Sequence, residues 1–291
     1  MPERPKGTGC KPVGSAYGGS NPPAPTLQPG RHEKGAAFRT LHQGEAFVIP
    51  NPWDAGSARV LEALGFKALA TTSSGFAFTL GRLDGDASLD EVIGHTRALV
   101  EATSLPVSVD LENGHGPEPE DAARAIARAA EAGAVGGSIE DWDLTSGIYD
   151  LDHAVERVAA ACEQARRLDF PFMLTARAEN HIRGNPDLDD TIARLQAYQQ
   201  AGADVLYAPG LRTPDEIRAV YEATSKPVNV LARPGLTTNE IAAAGGRRIS
   251  VGGALTWVAV GAMAAAAERM RDHCDFSALD VPVEIERWLG R

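Results

Sequence analysis

The chain has little cysteine, no long apolar run and a deficit of positive charge. Three cysteines, Cys10, Cys162 and Cys274, stand among 291 residues. They are too few and too scattered for a disulfide framework or a zinc cluster, so a reduced, cytoplasmic setting is expected. No run of about 18 apolar residues occurs, and no membrane span is expected. The longest apolar candidate, residues 254–267, is interrupted by Thr256, Trp257 and Gly261 and reads as a buried helix. Lys and Arg number 28 against 39 Asp and Glu, a formal charge of −11. That balance argues against nucleic acid or an anionic membrane as partner. It leaves room for a small anionic substrate, because a local field can oppose the net charge. What is present is 43% hydrophobic and 23% charged, ordinary globular usage that can bury a sizeable core.

Residues 1–35 stand apart. They are dense in Pro, Gly and Ser, as in Gly18-Gly19-Ser20 and Pro22-Pro23-Ala24-Pro25, and almost lack large apolar side chains. Burial there cannot offset the entropy of ordering, so a disordered tail is expected. No apolar stretch follows Lys6 or Lys11, which argues against a secretory leader, and the prolines forbid the amphipathic Arg-rich helix of a mitochondrial presequence. Residues 36–275 read as one catalytic domain. Residues 276–291 read as a helical extension whose Val283, Ile285, Trp288 and Leu289 could pack on a neighbouring subunit.

Within that domain short apolar or β-branched runs alternate with helical stretches. Strands are expected at 46–49, 68–72, 106–110, 135–139, 172–176, 205–207, 228–231 and 248–251. Helices are expected at 55–64, 89–103, 119–132, 151–168, 188–201, 214–223, 238–244 and 254–271. Gly65, Gly133, Gly202 and Gly245 sit where a helix ends in a left-handed residue. Thr213-Pro214-Asp215-Glu216 is a helix start, with a capping hydroxyl, proline in the first turn and then acids. Ala122, Ala125, Ile126 and Ala129 share one helical face. Eight β–α units predict an α/β fold, a (β/α)₈ TIM-type barrel. An open doubly wound sheet competes less well, since no glycine-rich dinucleotide turn follows the first strand.

In such barrels chemistry sits at the C-terminal strand ends. Trp53 and Asp54 follow the first strand and could floor a pocket. Thr72-Ser73-Ser74-Gly75 follows the second, with Asp84 and Asp86 beyond. Asp110-Leu111-Glu112-Asn113-Gly114-His115-Gly116 follows the third, Glu140-Asp141 the fourth, and Arg177 with Glu179 the fifth. In an extended strand Asp110 and Glu112 would project to one side, beside Glu140 from the next strand. Converging carboxylates resist burial unless a cation neutralises them. Oxygen-only ligands suit Mg²⁺, or Mn²⁺, rather than zinc, and magnesium keeps part of its water shell. Arg177 offers a fixed fork for a substrate carboxylate, or else a salt bridge to Glu140 or Glu179. The Ser73–Gly75 turn offers N–H groups and hydroxyls to an oxyanion. His115 reads as a loop residue.

These motifs together resemble the isocitrate lyase/phosphoenolpyruvate mutase superfamily over residues 38–275. The carriers are Asn51-Pro52-Trp53-Asp54, Thr72-Ser73-Ser74-Gly75, Asp110-x-Glu112-x-Gly114-x-Gly116, Ile139-Glu140-Asp141 and Ala176-Arg177-Ala178. The resemblance implies a barrel whose last helix is exchanged between subunits in a dimer of dimers, a homotetramer. It also implies Mg²⁺ and a 2-oxo or 2-hydroxy acid that passes through a pyruvate-like enolate. By that analogy Asp110 would bind Mg²⁺ directly and Asp84, Glu112 and Glu140 through water, while Ser73, Ser74, Gly75 and Arg177 would grip the acid.

The lyases of that superfamily carry a cysteine lid after the fourth strand. Here the stretch 141–150 holds no Cys, Lys or His, and Cys162 falls inside the next helix. The Glu expected after the sixth strand is replaced by Ala208-Pro209-Gly210, so a second substrate carboxylate would fall to Arg212 or Arg233. Proton donors reduce to Tyr149, Ser146 or a metal-bound water. Decarboxylation needs no base to begin, so the expected activity is a Mg²⁺-dependent carbon–carbon lyase or decarboxylase. A mutase or hydrolase acting on a P–C bond, and a non-catalytic 2-oxo acid binder, are the alternatives.

Overall fold

The computed structural model describes residues 29–290. Its elements run α1 (Arg31–Gln43), β1 (Phe47–Ile49), α2 (Ala55–Ala63), β2 (Leu69–Ala70), α3 (Ser73–Thr79), α4 (Leu89–Ala102), β3 (Val107–Asp110), α5 (Pro119–Glu131) and β4 (Gly136–Glu140). They continue as β5 (Trp142–Asp143), β6 (Gly147–Ile148), α6 (Leu151–Arg166), β7 (Met173–Arg177), α7 (Leu188–Ala201), β8 (Val205–Tyr207), α8 (Pro214–Ala223), β9 (Val228–Leu231), α9 (Thr238–Ala243), β10 (Gly246–Ser250), α10 (Ala254–His273), a 3₁₀ turn (Ser277–Leu279) and α11 (Ile285–Leu289).

Eight parallel strands form a nearly closed (β/α)₈ barrel in the order β1-β10-β9-β8-β7-β4-β3-β2. The seam between β1 and β2 is bridged where the Ala70 N–H donates to the Pro50 carbonyl at 3.1 Å. The apolar core lies in the sleeve between strands and helices. Val109, Leu174, Leu206, Val230 and Ile249 point outward into it, and α5 meets it with Ala122, Ala125, Ile126 and Ala129, all fully buried. The small side chains on that face bring the helix close to the sheet. The lumen is different: Ser108, Ser138, Thr175, Asn229, Arg248 and Ser250 are all buried or half-buried polar groups.

The stretch 141–150 contains a small antiparallel hairpin, β5 with β6. Three expectations need correction. Residues 31–35, assigned to the tail, belong to α1, and Lys34 donates to the Thr103 carbonyl at 2.9 Å. The helix buries Lys34, Gly35, Phe38 and His42, too sparse an apolar signal for a periodicity reading. Phe38 plugs the base of the barrel beside Gly136, where a Cβ would come within 2.7 Å of the ring. The rest of the expected tail, residues 1–28 with Cys10, lies outside the described residues. Second, Ser73-Ser74-Gly75 is not a free turn but the first turn of α3, capped by Thr72. Third, α10 is not buried. Of its residues only Thr256 is buried, while Val258 is 70% and Met263 63% exposed. Phe276, Leu279, Val281 and Val283 beyond it are exposed as well. Among the described residues no helix is long and apolar enough to cross a membrane.

Candidate active site

Asp110 closes β3 and Arg177 closes β7, with β4 between them. Register places Ser138 beside Asp110 and Glu140 beside Arg177, so inward side chains of three adjacent strands meet at the C-terminal mouth. Arg177 Nη1 donates to Asp110 Oδ1 at 2.8 Å. Its Nη2 lies 2.8 Å from Glu140 Oε2 and 2.8 Å from Glu179 Oε1, and Nε donates to Glu179 Oε1 at 3.0 Å. Arg183 adds ion pairs to Glu179 at 3.3 Å and Glu140 at 3.6 Å. Its guanidinium stands 3.4 Å from the centre of the Trp142 ring, which ties the hairpin to the cluster. Arg177 is therefore not a free fork: both salt bridges foreseen for it, and a third to Asp110, are made.

Asp110 is held from several sides. Its carboxylate accepts from the Ser73 N–H at 3.2 Å and the Ser138 hydroxyl at 3.3 Å, and its own N–H donates to Thr71 Oγ1 at 2.8 Å. Glu112 reaches the same region by another route than expected. The strand ends at Asp110, and Glu112 takes a left-handed backbone with φ of 50°. A turn, not strand alternation, brings the two acids together.

The charges do not balance. Five carboxylates, those of Asp84, Asp110, Glu112, Glu140 and Glu179, gather around two guanidiniums, those of Arg177 and Arg183. Burial pushes the Glu112 carboxyl up to about 8, with Asp110 and Asp84 adding repulsion. Burial also raises Asp84, against a hydrogen bond to Ser73. Glu140 is raised well above the carboxylate range by burial, which the nearby Arg177 only partly offsets. For Arg177 burial works against the charge, but Glu140, Glu179 and Asp110 outweigh it and hold the guanidinium protonated. Glu112 Oε1 is buried without a hydrogen-bond partner. An excess of acids with an orphaned oxygen fits a hard divalent cation. Among the described residues no three His, Cys, Asp or Glu side chains close into a full ligand set.

A cavity of about 150 Å³ opens beside Asp110. Of the candidate residues, Ser73, Ser74, Asp84, Asp110 and Arg177 line it, while Glu112 and Glu140 line an adjoining cavity of about 460 Å³ under the hairpin. Others are placed elsewhere. Trp53 packs behind α3, its Cβ against Gly75, and its carbonyl meets His95. Gly75 is buried. Its N–H donates to Thr72 Oγ1, and a Cβ there would come within 2.6 Å of Thr256 and Thr72. The Ser73 N–H is committed to Asp110, so two of the expected oxyanion donors are already engaged. Tyr149 is buried outside both cavities, its hydroxyl accepting from Asn113 at 3.0 Å. Ser146 is exposed and donates to Asp143 at 3.0 Å. Arg212 and Arg233 line neither cavity. Cys162 is buried in α6, its thiol pushed up to about 12 by burial, and is inert packing.

Sequence reading missed the floor of the first cavity. Arg248 on β10 donates from Nε to Asn229 Oδ1 at 2.8 Å on neighbouring β9. From Nη2 it donates to Thr175 Oγ1 at 2.8 Å on β7, across the lumen. Asn229 donates in turn to Ser250 Oγ at 3.0 Å. Tyr207, pushed up to about 12 by burial, joins Ser250 to the Arg177 side, its ring 5.4 Å from that guanidinium. The available signal was parity: Arg248 and Ser250 fall on the inward face of their strand.

Residues 38–271 match the family model for phosphoenolpyruvate phosphomutase. The chain belongs to the phosphoenolpyruvate phosphomutase family. The superfamily resemblance drawn from the motifs is thereby met. Among family relatives, an uncharacterised protein of Mycobacterium tuberculosis is 34% identical over 74% of this chain and 81% of its own length. An oxaloacetate decarboxylase of Rhodopseudomonas palustris is 31% identical over 77% and 79%, and the 2-methylisocitrate lyase of Escherichia coli 29% identical over 73% and 76%. A solved lyase/mutase-like structure from Burkholderia cenocepacia is 51% identical with a TM-score of 0.87, over 90% of this chain and 97% of that one. A phosphonopyruvate hydrolase solved with oxalate and Mg²⁺ is 25% identical with a TM-score of 0.79, over 88% and 95%.

Proposed function

We propose that the protein is a Mg²⁺-dependent lyase or decarboxylase that breaks a carbon–carbon bond beside the 2-oxo group of a small carboxylic acid. The observation that carries this reading is the excess of buried carboxylates around Asp110 at the mouth of a small polar cavity. In this reading Asp110 would hold the ion directly, and Asp84, Glu112 and Glu140 would hold it through water. Once bound, the ion would supply positive charge for the enolate-like charge that builds on the substrate. Arg177 does not grip the substrate first. It fixes Asp110, Glu140 and Glu179 in place, and Ser73 and Ser74 orient the acid. The hairpin lines the neighbouring cavity with Trp142, Asp143 and Leu144. Its one ionisable side chain, Asp143, is engaged by Asn113, Thr145 and Ser146, which favours decarboxylation over aldol-type cleavage, because loss of CO₂ needs no enzyme base to start. The relatives that are named as oxaloacetate decarboxylases support this choice. A P–C bond reaction is the second reading, supported by the structural match to the phosphonopyruvate hydrolase.

Pyruvate and CO₂ release from oxaloacetate, with and without Mg²⁺, tests the proposal. Activity should require the metal, vanish with chelator and fall by about 100-fold or more in Asp110→Ala. Full metal-independent turnover in that variant would overturn it.

The exposed apolar residues of α10 and of 276–283 support the exchange of this helix between subunits of a dimer of dimers. In solution the mass should be four times 30.7 kDa. Charged substitutions at Val258 and Met263 should reduce it, and a monomeric wild-type protein would exclude the exchange.

A further inference from the structure

We infer that Arg248 is an anion receptor at the floor of the active-site cavity and that it takes the second carboxylate of a dicarboxylic 2-oxo acid. The inference deepens the proposed function and rests on it. Arg248 is 5% exposed and lines the cavity. Its partners, Asn229 and Thr175, are neutral. Among the described residues no carboxylate forms an ion pair with it, and its Nη1 is buried with no hydrogen-bond partner. The other guanidinium of the cavity, Arg177, is saturated by three acids.

A buried guanidinium without a counter-ion is costly unless something supplies one. The fold holds this one rigidly. Nε is fixed from β9 and Nη2 from β7, so the remaining N–H groups on Nη1 have a set direction. A planar fork with free donors recognises carboxylate. The cavity thus has two unlike poles. Asp110 and Asp84 lie at the mouth, where a metal-bound 2-oxo acid end belongs, and an unneutralised cation lies at the floor. A ligand with one carboxylate satisfies only the first pole, and a four-carbon diacid can satisfy both. The arginines considered from sequence for this duty, Arg212 and Arg233, do not reach the cavity.

The test compares 3,3-difluoro-2-oxobutyrate with 3,3-difluorooxaloacetate, in which a carboxylate stands where the former has a methyl. Affinities are read by equilibrium displacement of oxalate in the presence of Mg²⁺, so no turnover is needed. Wild type should favour the diacid by about 10- to 100-fold. Arg248→Gln should erase that preference and leave 3,3-difluoro-2-oxobutyrate and oxalate within about threefold, whereas Arg248→Lys should restore part of it. Equal loss for all three ligands would show a brace across the lumen and overturn the inference, as would no preference in wild type, which can be read even if the variants misfold. If wild type binds none of the three acids, the proposed function falls with it. If it binds oxalate and 3,3-difluoro-2-oxobutyrate as tightly as the diacid, only the role of Arg248 falls.

Discussion

Arg177→Met isolates the electrostatic logic of the site. The substitution keeps an unbranched apolar stem as far as the position of Nε and removes the charge that pairs with Asp110, Glu140 and Glu179 at 2.8 Å each. Glu140 and Glu179 are 5% and 1% exposed, so water cannot replace the guanidinium. Removing one partner of a buried ion pair costs about 3–5 kcal/mol, against a total of about 5–15 kcal/mol for a domain. Arg183 still pairs with Glu140 and Glu179 at 3.6 and 3.3 Å, but Asp110 loses its ion pair with Arg177, so a loss within the former range is expected at pH 8. The loss should shrink with acidification. Burial already raises the native pKa of Glu140 above its ordinary 4.5, and without Arg177 the rise is larger. An acid raised in this way binds protons on folding. Its cost is therefore greatest above the native pKa and is recovered as the pH falls toward the unfolded value. Urea unfolding of variant and wild type at pH 8 and pH 5 gives the difference at each pH. A loss below about 1 kcal/mol at pH 8, or one as large at pH 5 as at pH 8, would refute the reasoning.

Other expectations are simpler. His42 is buried between Phe38 and Phe47, and burial, with Arg248 nearby, lowers its pKa to about 3 from 6.5. Its neutral form is required in the fold, so wild type should lose up to about 5 kcal/mol as the pH falls from 6.5 toward 3. Melting temperatures of His42→Phe should lack that part of the decline, and identical slopes would exclude it. Gly75→Ala should cost about 1–3 kcal/mol in unfolding experiments, since its Cβ meets Thr256 and Thr72 at 2.6 Å. Tyr149→Phe should keep turnover within about twofold, whereas a loss of about 100-fold or more would return Tyr149 to the role of proton donor.

The barrel was legible because its strands and helices carry strong local signals. The β-branched runs, the left-handed glycines after α7 and elsewhere, and the Thr213 cap with Pro214 are read without tertiary information. Asp110, Ser73 and Arg177 could be placed at one mouth from the sequence because they follow strand ends, whereas Asp84, beyond α3, entered through the family resemblance. What escaped depends on contacts distant in sequence. Phe38 anchors α1 only because Gly136 leaves space for it. Glu112 reaches Asp110 only because the strand stops early. Tyr149 and Trp53 face away although they follow the motifs closely. Arg248 was overlooked because it stands inside a strand rather than at its end.

The hydroxyls, amide and guanidinium in the lumen have a consequence for how this molecule can change. In many barrels branched aliphatics fill the middle, and the same side chains serve cohesion and shape. Here cohesion is delegated to the outer sleeve, where Leu174, Leu206 and Ile249 meet the alanine-faced helices. Inward positions that hold no buried ion pair are thus less bound to keeping the chain folded than the sleeve is. Exchanging one of those alters what the interior recognises at a smaller cost to the scaffold, so new specificities lie a few substitutions away.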